Sequence, residues 1–163
     1  MTSIELATKI VRTSFSGKKD LAGKPYYNHL ERVHKKVNDW GGGDVKAIAL
    51  LHDILEDCPE WTEGALRCLF SPSAVDTIVI LTRKQTEKYE DYIQRIVDSG
   101  NQWAIHIKIC DLEDNMDITR LPTVLLEADI VRLRKYHAAY NVSVLYDVAD
   151  FQQKAQYEAP KLN

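Results

Sequence analysis

The chain is poor in the residues that would build a disulfide framework or a thiolate metal site. Its three cysteines, Cys58, Cys68 and Cys110, are odd in number and form no Cys-x-x-Cys pair, so they read as reduced apolar filler. Long apolar runs are also missing. No stretch approaches the roughly 18 residues of a membrane-spanning helix, and Met1-Thr2-Ser3-Ile4-Glu5 has neither the basic nor the apolar region of a signal peptide, which predicts a cytoplasmic protein with no membrane partner. Neither sign of charge dominates: 21 basic and 24 acidic side chains give a net charge of -3, leaving no basic field to hold polymeric nucleic acid. Glycine is sparse, and its one cluster, Gly41-Gly42-Gly43, is not followed by Gly-Lys-Ser/Thr, so it reads as a turn between helices rather than a phosphate loop. Without a secretory signal, the sequon Asn141-Val142-Ser143 is given no role.

What is there is one domain's worth of helix. With 45% apolar residues in 163, the chain can bury one sizeable core, expected over residues 1–149, with 150–163 as a weakly ordered tail. Apolar spacing is helical nearly throughout, which predicts an all-α single domain with helices over 3–15, 26–40, 44–57, 62–70, 72–81, 86–98, 101–119 and 123–146. Asp44, Thr62, Ser71 and Thr86 are the expected N-terminal caps, and Pro59 and Pro122 the stops. Residues 16–25 form a polar, basic loop with two glycines, closed by Pro25.

The chemistry concentrates in His52-Asp53-Ile54-Leu55-Glu56-Asp57, an imidazole and three carboxylates on a helix that reads as buried. Buried carboxylates need a partner or a cation, because an uncompensated buried ion costs several kcal/mol, on the order of the penalties for desolvated charges. His29 lies on an inward stripe with Tyr26, Leu30, Val33 and Val37, and Lys108, Asp111 and Asn115 share a face of a later helix. Each has a bland reading alone. His29 could be a hydrogen-bonded core imidazole, Glu56-Asp57 a solvated helix end, and Asp111 the ion-pair partner of Lys108. Taken together, the imidazoles His29 and His52 and the carboxylates Asp53 and Asp111 suit one divalent ion such as manganese, iron or magnesium with positions left open for water and substrate. Such an ion acidifies water and absorbs charge at phosphorus, so phosphoester hydrolysis is the natural reaction class.

The order His29, His52-Asp53, Asp111 resembles the HD-domain metal-dependent phosphohydrolases, a helical superfamily, and so implies an HD-type bundle. Pro25-Tyr26-Tyr27-Asn28-His29, Leu51-His52-Asp53-Ile54-Leu55-Glu56-Asp57 and Lys108-Ile109-Cys110-Asp111-Leu112-Glu113-Asp114-Asn115-Met116 are similar to the RelA/SpoT-type guanosine tetraphosphate hydrolases, over about residues 12–122. The resemblance implies Mn2+ held by His29, His52, Asp53 and Asp111, an acidic pair Glu56 and Asp57 that activates water, removal of a 3′-pyrophosphate, and substrate contacts from Asn115 and Lys19. Charge alone adds Lys18, Lys24, Arg83 and Lys84 as phosphate partners. Lys18 stands where that family usually has arginine, Leu30 where proline usually follows the first histidine, and Leu112 and Asp114 where Arg and His are common.

The expected substrate is therefore a small phosphorylated nucleotide, guanosine tetraphosphate first. The alternatives are an HD-type nucleotidase or other nucleotide phosphatase, including one acting on NADPH, and a non-catalytic nucleotide-binding regulator; a homo-oligomer is left open. Tyr89, Ile93 and Ile96 read as core spacing ahead of a base-stacking role, and Trp40, Trp61 and Trp103 as packing or interface residues. Arg132-Leu133-Arg134-Lys135 reads as a solvated basic face with no catalytic role.

Overall fold

The computed structural model describes residues 1–37, 42–121 and 124–158, with side chains described to residue 147. Trp40, Pro122, Thr123 and all of the expected tail's side chains lie outside the described residues. The elements are α1 (Ser3–Ser14), α2 (Tyr27–Lys36), α3 (Gly42–Leu51), α4 (Ile54–Asp57), α5 (Glu63–Arg67), α6 (Pro72–Leu81), α7 (Tyr89–Asp98), α8 (Gln102–Asn115), a 3-10 turn at Ile118–Arg120 and α9 (Glu127–Glu158). Among the described residues there is no strand, only an isolated bridge between Lys19 and Pro25, and no helix is long and apolar enough to cross a membrane.

Two helices form the centre. Ala47, Ile48, Ala49, Leu50 and Leu51 of α3 are consecutive and all buried, as a helix enclosed on every side must be, and α1, α2 and α6 pack around them. Ile105, Ile107 and Leu112 of α8 are fully buried between α2, α6 and α9. Several starts follow the expected chemistry: the Thr62, Ser71 and Asn101 side chains each accept from a backbone N–H in the first turn of α5, α6 and α8, and Pro72 opens α6.

Several boundaries differ from the spacing: α9, expected to end at 146, runs to Glu158, and α5 ends at Arg67 rather than 70. The helix expected over 44–57 breaks at His52-Asp53, where Asp53 leaves helical geometry at φ -100° and ψ 1°. Adjacent residues of an unbroken helix point about 100° apart; the break lets His52 and Asp53 face the same side. Asp44 is not the cap of α3 but sits in its first turn, where its carboxylate accepts from the hydroxyls of Ser3 (3.2 Å) and Ser71 (2.9 Å) and ties three helix starts together. Thr86 does not cap α7, which starts after Lys88 without a side-chain cap. Helix α8 stops at Asn115, because Asp117 turns the chain into the 3-10 turn by accepting from the Thr119 N–H at 3.0 Å.

Candidate metal centre

His29 comes from α2, His52 and Asp53 from the break between α3 and α4, and Asp111 from α8, so the centre lies where the two central helices meet α2. His29 and His52 are each 3% exposed and Asp111 is 4% exposed. His29, His52 and Asp53 offer ligand atoms within 4.8 Å of one another. His52 Nε2 lies 3.2 Å from Asp53 Oδ2, and His29 Nε2 lies 3.8 Å from the same oxygen. Asp111 Oδ1 is 3.3 Å from His29 Nε2 and 3.7 Å from His52 Nε2.

The far sides of both rings are committed. His29 Nδ1–H donates to Asp114 Oδ2 at 2.8 Å, and His52 Nδ1–H donates to the Ala49 carbonyl at 2.8 Å. Because both acceptors are oxygens, each neutral ring carries its lone pair on Nε2, the atom that faces the carboxylates. His52 Nε2 is buried without a hydrogen-bond partner. Burial pushes the His52 pKa down, yet the charges of Asp53 and Asp111 outweigh it and hold the group well above the usual histidine range. His29 is raised as well, burial being outweighed by its hydrogen bonds to Asp111 and Asp114. A cluster that retains protons against burial is one that demands positive charge, and the donor set of imidazole and carboxylate fits a divalent ion.

A shell of hydrogen bonds surrounds the carboxylates. The Tyr26 hydroxyl donates to Asp53 Oδ2 at 2.6 Å, and burial followed by the charge of Asp53 raises its pKa far above the ordinary tyrosine value. Lys108 Nζ donates to Asp111 Oδ2 at 2.7 Å and Asn115 Nδ2 to Asp111 Oδ1 at 2.6 Å. Asp111 therefore both pairs with Lys108 and faces the imidazoles. Burial would raise its carboxyl, but the Lys108 ammonium and the two histidines hold it well below the usual range. Behind His29, Asp114 is gripped by Arg32 Nε at 2.7 Å and Arg120 Nη2 at 3.2 Å, and Asp20 Oδ2 joins Arg120 at 3.4 Å.

The centre opens into a cleft of about 400 Å³. Of the residues singled out from sequence, His29, Asp53, Asp111, Glu56, Lys19, Asn115 and Arg83 line it. Glu56 Oε1 accepts from the Arg83 N–H at 2.5 Å, and burial in the wall raises its pKa, partly offset by that bond. Lys18, Lys24, Lys84 and Asp57 are not among the lining residues; Lys18 Nζ instead pairs with Asp57 Oδ2 at 2.7 Å. The basic run of α9 is not uniformly turned to solvent: Arg134 and Lys135 are exposed and Arg132 is half-buried, and Arg132 and Lys135 line the cleft with Tyr136. Tyr89 packs on the core and also faces the cleft, with Lys135 Nζ 4.4 Å from its ring centroid.

Sequence reasoning missed Tyr26 and Asp114 as supports and α9 as a wall. Signals existed for Asp114 and for α9: Asp114 follows Asp111 by three residues, and Arg132, Lys135 and Tyr136 recur at helical spacing.

No protein-family model matches the sequence, and no curated relative matches it. A solved structure described as a metazoan ortholog of SpoT that hydrolyses ppGpp superposes with a TM-score of 0.69, over 94% of this chain and 96% of that one, at 18% sequence identity. This chain has an HD-type fold. The all-α bundle implied by the motif order is thus the observed one, and His29, His52 and Asp53 fall together in it as a group compatible with a divalent ion.

Proposed function

We propose that the chain is a metal-dependent phosphohydrolase of a small phosphorylated nucleotide, most specifically a guanosine-3′,5′-bis(diphosphate) 3′-pyrophosphohydrolase using Mn2+. The observation that carries this reading is the pair of imidazoles tied back through Nδ1, with both Nε2 atoms turned to carboxylates and that of His52 buried and unpartnered. His29, His52, Asp53 and Asp111 would hold the ion. When bound, it supplies Lewis acidity toward phosphate oxygens and toward water.

The protein's own groups divide the remaining work. Glu56, in the cleft wall with a raised pKa, accepts the proton of the attacking water, as a base near its working pH does best. Arg83, Arg132, Lys135 and Lys19 line the same cleft and neutralise phosphate charge as it builds on the way to bond cleavage. Lys108 holds Asp111 in place. Water adds to phosphorus, the bond to the 3′ oxygen breaks, and that oxygen takes up a proton as pyrophosphate leaves. The fold of a protein described as hydrolysing ppGpp supports this reading.

The second reading, an HD-type nucleotidase or NADPH phosphatase, is favoured by the position of Lys18, which is held on Asp57 and is not among the cleft-lining residues. Leu21, Ala22, Leu121 and Leu133 line the cleft and would accept a base by apolar contact without selecting guanine. Purified protein loaded with manganese is expected to release pyrophosphate from guanosine tetraphosphate. Robust hydrolysis of another nucleotide, with none of guanosine tetraphosphate, would transfer the assignment to the second reading.

A further inference from the structure

Helix α9 has two apolar sides, and among the described residues only one of them is covered. Tyr136, Tyr140 and Val144 pack against the core, and Ala139 and Ser143 are buried where α9 lies on α7 and α8. On the other side Val131 is 57% exposed and Leu145 72%, with Ala138 and Val142 exposed between them. Intervals of seven, four and three residues keep all four in one stripe, the spacing of a seam between paired helices. Just before the helix, Val124, Leu125 and Leu126 are exposed as well. Of the ten large apolar side chains exposed among the described residues, six lie between 124 and 145, a concentration that marks a contact surface rather than scattered exposure. Two charges accompany it. Glu127 and Arg134 are exposed, and neither has an ion-pair partner among the described residues, whereas their neighbour Asp129 is taken by Arg132.

We infer that this face joins two copies of the chain, with α9 crossing α9 of the second copy antiparallel at Val131. A helix with seam spacing is matched by a helix of the same spacing, and a twofold axis lets one patch serve both copies. The charges fix direction and register. In a parallel pair Glu127 meets Glu127 and Arg134 meets Arg134, which repels twice. In an antiparallel pair crossing at Val131, Glu127 lies four residues before the crossing and meets Arg134, three residues after it, and the twofold makes this ion pair twice. The same crossing lays residues 124–126, five to seven positions before Val131, over Ala138, seven after it, whose small side chain admits them. A crossing farther along α9 sets Arg134 against Asn141, Val142 or Leu145, which carry no charge. Arg132 and Lys135 of the same helix line the cleft, so the contact borders its mouth. One helix face with its flank buries less than the roughly 800 Å2 per partner of a standard interface, so the pairing depends on concentration, in the micromolar range.

Sedimentation velocity of the full chain from about 5 to about 500 µM tests the pairing. Wild type is expected to move from monomer toward dimer across that range. Val131→Glu, at an exposed position that leaves the core untouched, is expected to weaken association about tenfold or more by placing two carboxylates at the crossing. Glu127→Arg and Arg134→Glu are each expected to weaken it about fivefold, since each sets like charges together. The double exchange, Glu127→Arg with Arg134→Glu, re-forms both ion pairs with the signs reversed and is expected to return association to within about twofold of wild type. A chain that stays monomeric throughout overturns the pairing. So does Val131→Glu associating as wild type does, and so does a double exchange as weak as the single ones. A monomer that instead sediments with phosphatidylserine vesicles would assign the patch to a lipid surface and overturn the pairing equally.

Discussion

The floor and the rim of the cleft are built by different rules. On the floor, His29, His52 and Asp111 are almost wholly buried; His29 and His52 donate to Asp114 and the Ala49 carbonyl, while Asp53 accepts from Tyr26 and Asp111 from Lys108 and Asn115. On the rim, Lys19, Arg83, Arg132 and Lys135 arrive from a loop, an inter-helix turn and the face of α9, and Lys135 is exposed. Partial desolvation beside the cleft pushes the pKa of Lys135 down, and so does the nearby charge of Arg83. A rim of crowded like charges is relieved by an anion, as the floor is relieved by a cation. The charge of the floor is of the kind a cation relieves, and that of the rim of the kind an anion relieves.

The sharpest way to break this contrast is to remove a floor imidazole. His52→Ala is expected to abolish stoichiometric metal binding and to lower kcat/KM on the order of a thousandfold or more, several kcal/mol of lost transition-state stabilisation. Metal content and steady-state kinetics on the same preparation check it. Retained metal would move the centre elsewhere. Asp114→Asn comes next. It leaves all four proposed ligands in place but removes the anion behind His29, and second-shell losses of this kind weaken metal binding about 10- to 100-fold. Calorimetric titration with Mn2+ measures it; unchanged affinity would mean that Asp114 serves only Arg32 and Arg120.

The same contrast governs what the sequence disclosed. Floor residues were legible because burial and helical spacing are local signals: His29 sits in a stripe with Leu30, Val33 and Val37, and all four are buried. Lys108, Asp111 and Asn115 shared a face by spacing and are joined in the structure. The break at His52-Asp53 was not legible. The apolar pattern from Val45 to Leu55 favours a continuous helix, yet the chain breaks at His52-Asp53, and His52 Nε2 then lies 3.2 Å from Asp53 Oδ2. On the rim, charge gave no direction. Lys24 and Lys84 carry the same formal charge as Lys19 and Arg83, yet only the latter two line the cleft, because loop closure decides which way each side chain turns. Arg132 and Lys135 were hidden for the opposite reason, since a basic stretch on an amphipathic helix is usually solvated and only the docking of α9 on α7 and α8 turns one side inward.

A rim change should separate binding from metal loading. Arg132→Ala combined with Lys135→Ala is expected to raise KM about tenfold, the scale of charge-assisted phosphate contacts, while Mn2+ affinity stays unchanged. The effect should shrink as salt rises, because these groups are solvent-accessible and screened. A fall in metal affinity in this variant would show that floor and rim are one unit.

The smallest expected effect concerns how the rim is held. Arg83 is presented by the turn between α6 and α7, and Glu87 staples that turn: its carboxylate takes Arg95 Nε at 2.6 Å and the Lys84 N–H at 3.1 Å, while its carbonyl accepts from Arg83 Nε at 3.1 Å. The hydrogen bond from Arg95 is the largest cause that lowers the Glu87 pKa to about 2. A carboxyl depressed in the folded state contributes stability above its unfolded pKa, near 4.5, and loses that contribution as pH falls toward about 2. Because the pair is partly buried but still reached by solvent, the loss is on the order of 1 kcal/mol. Glu87→Gln should therefore unfold more readily than wild type at pH 6, and the difference should shrink as pH falls from near 4.5 toward about 2, as the Glu87 carboxyl takes up its proton. Denaturant midpoints at the two pH values measure this. A difference that persists in acid would assign the staple to shape rather than charge, and would separate the rim's support from the electrostatics that organise the floor.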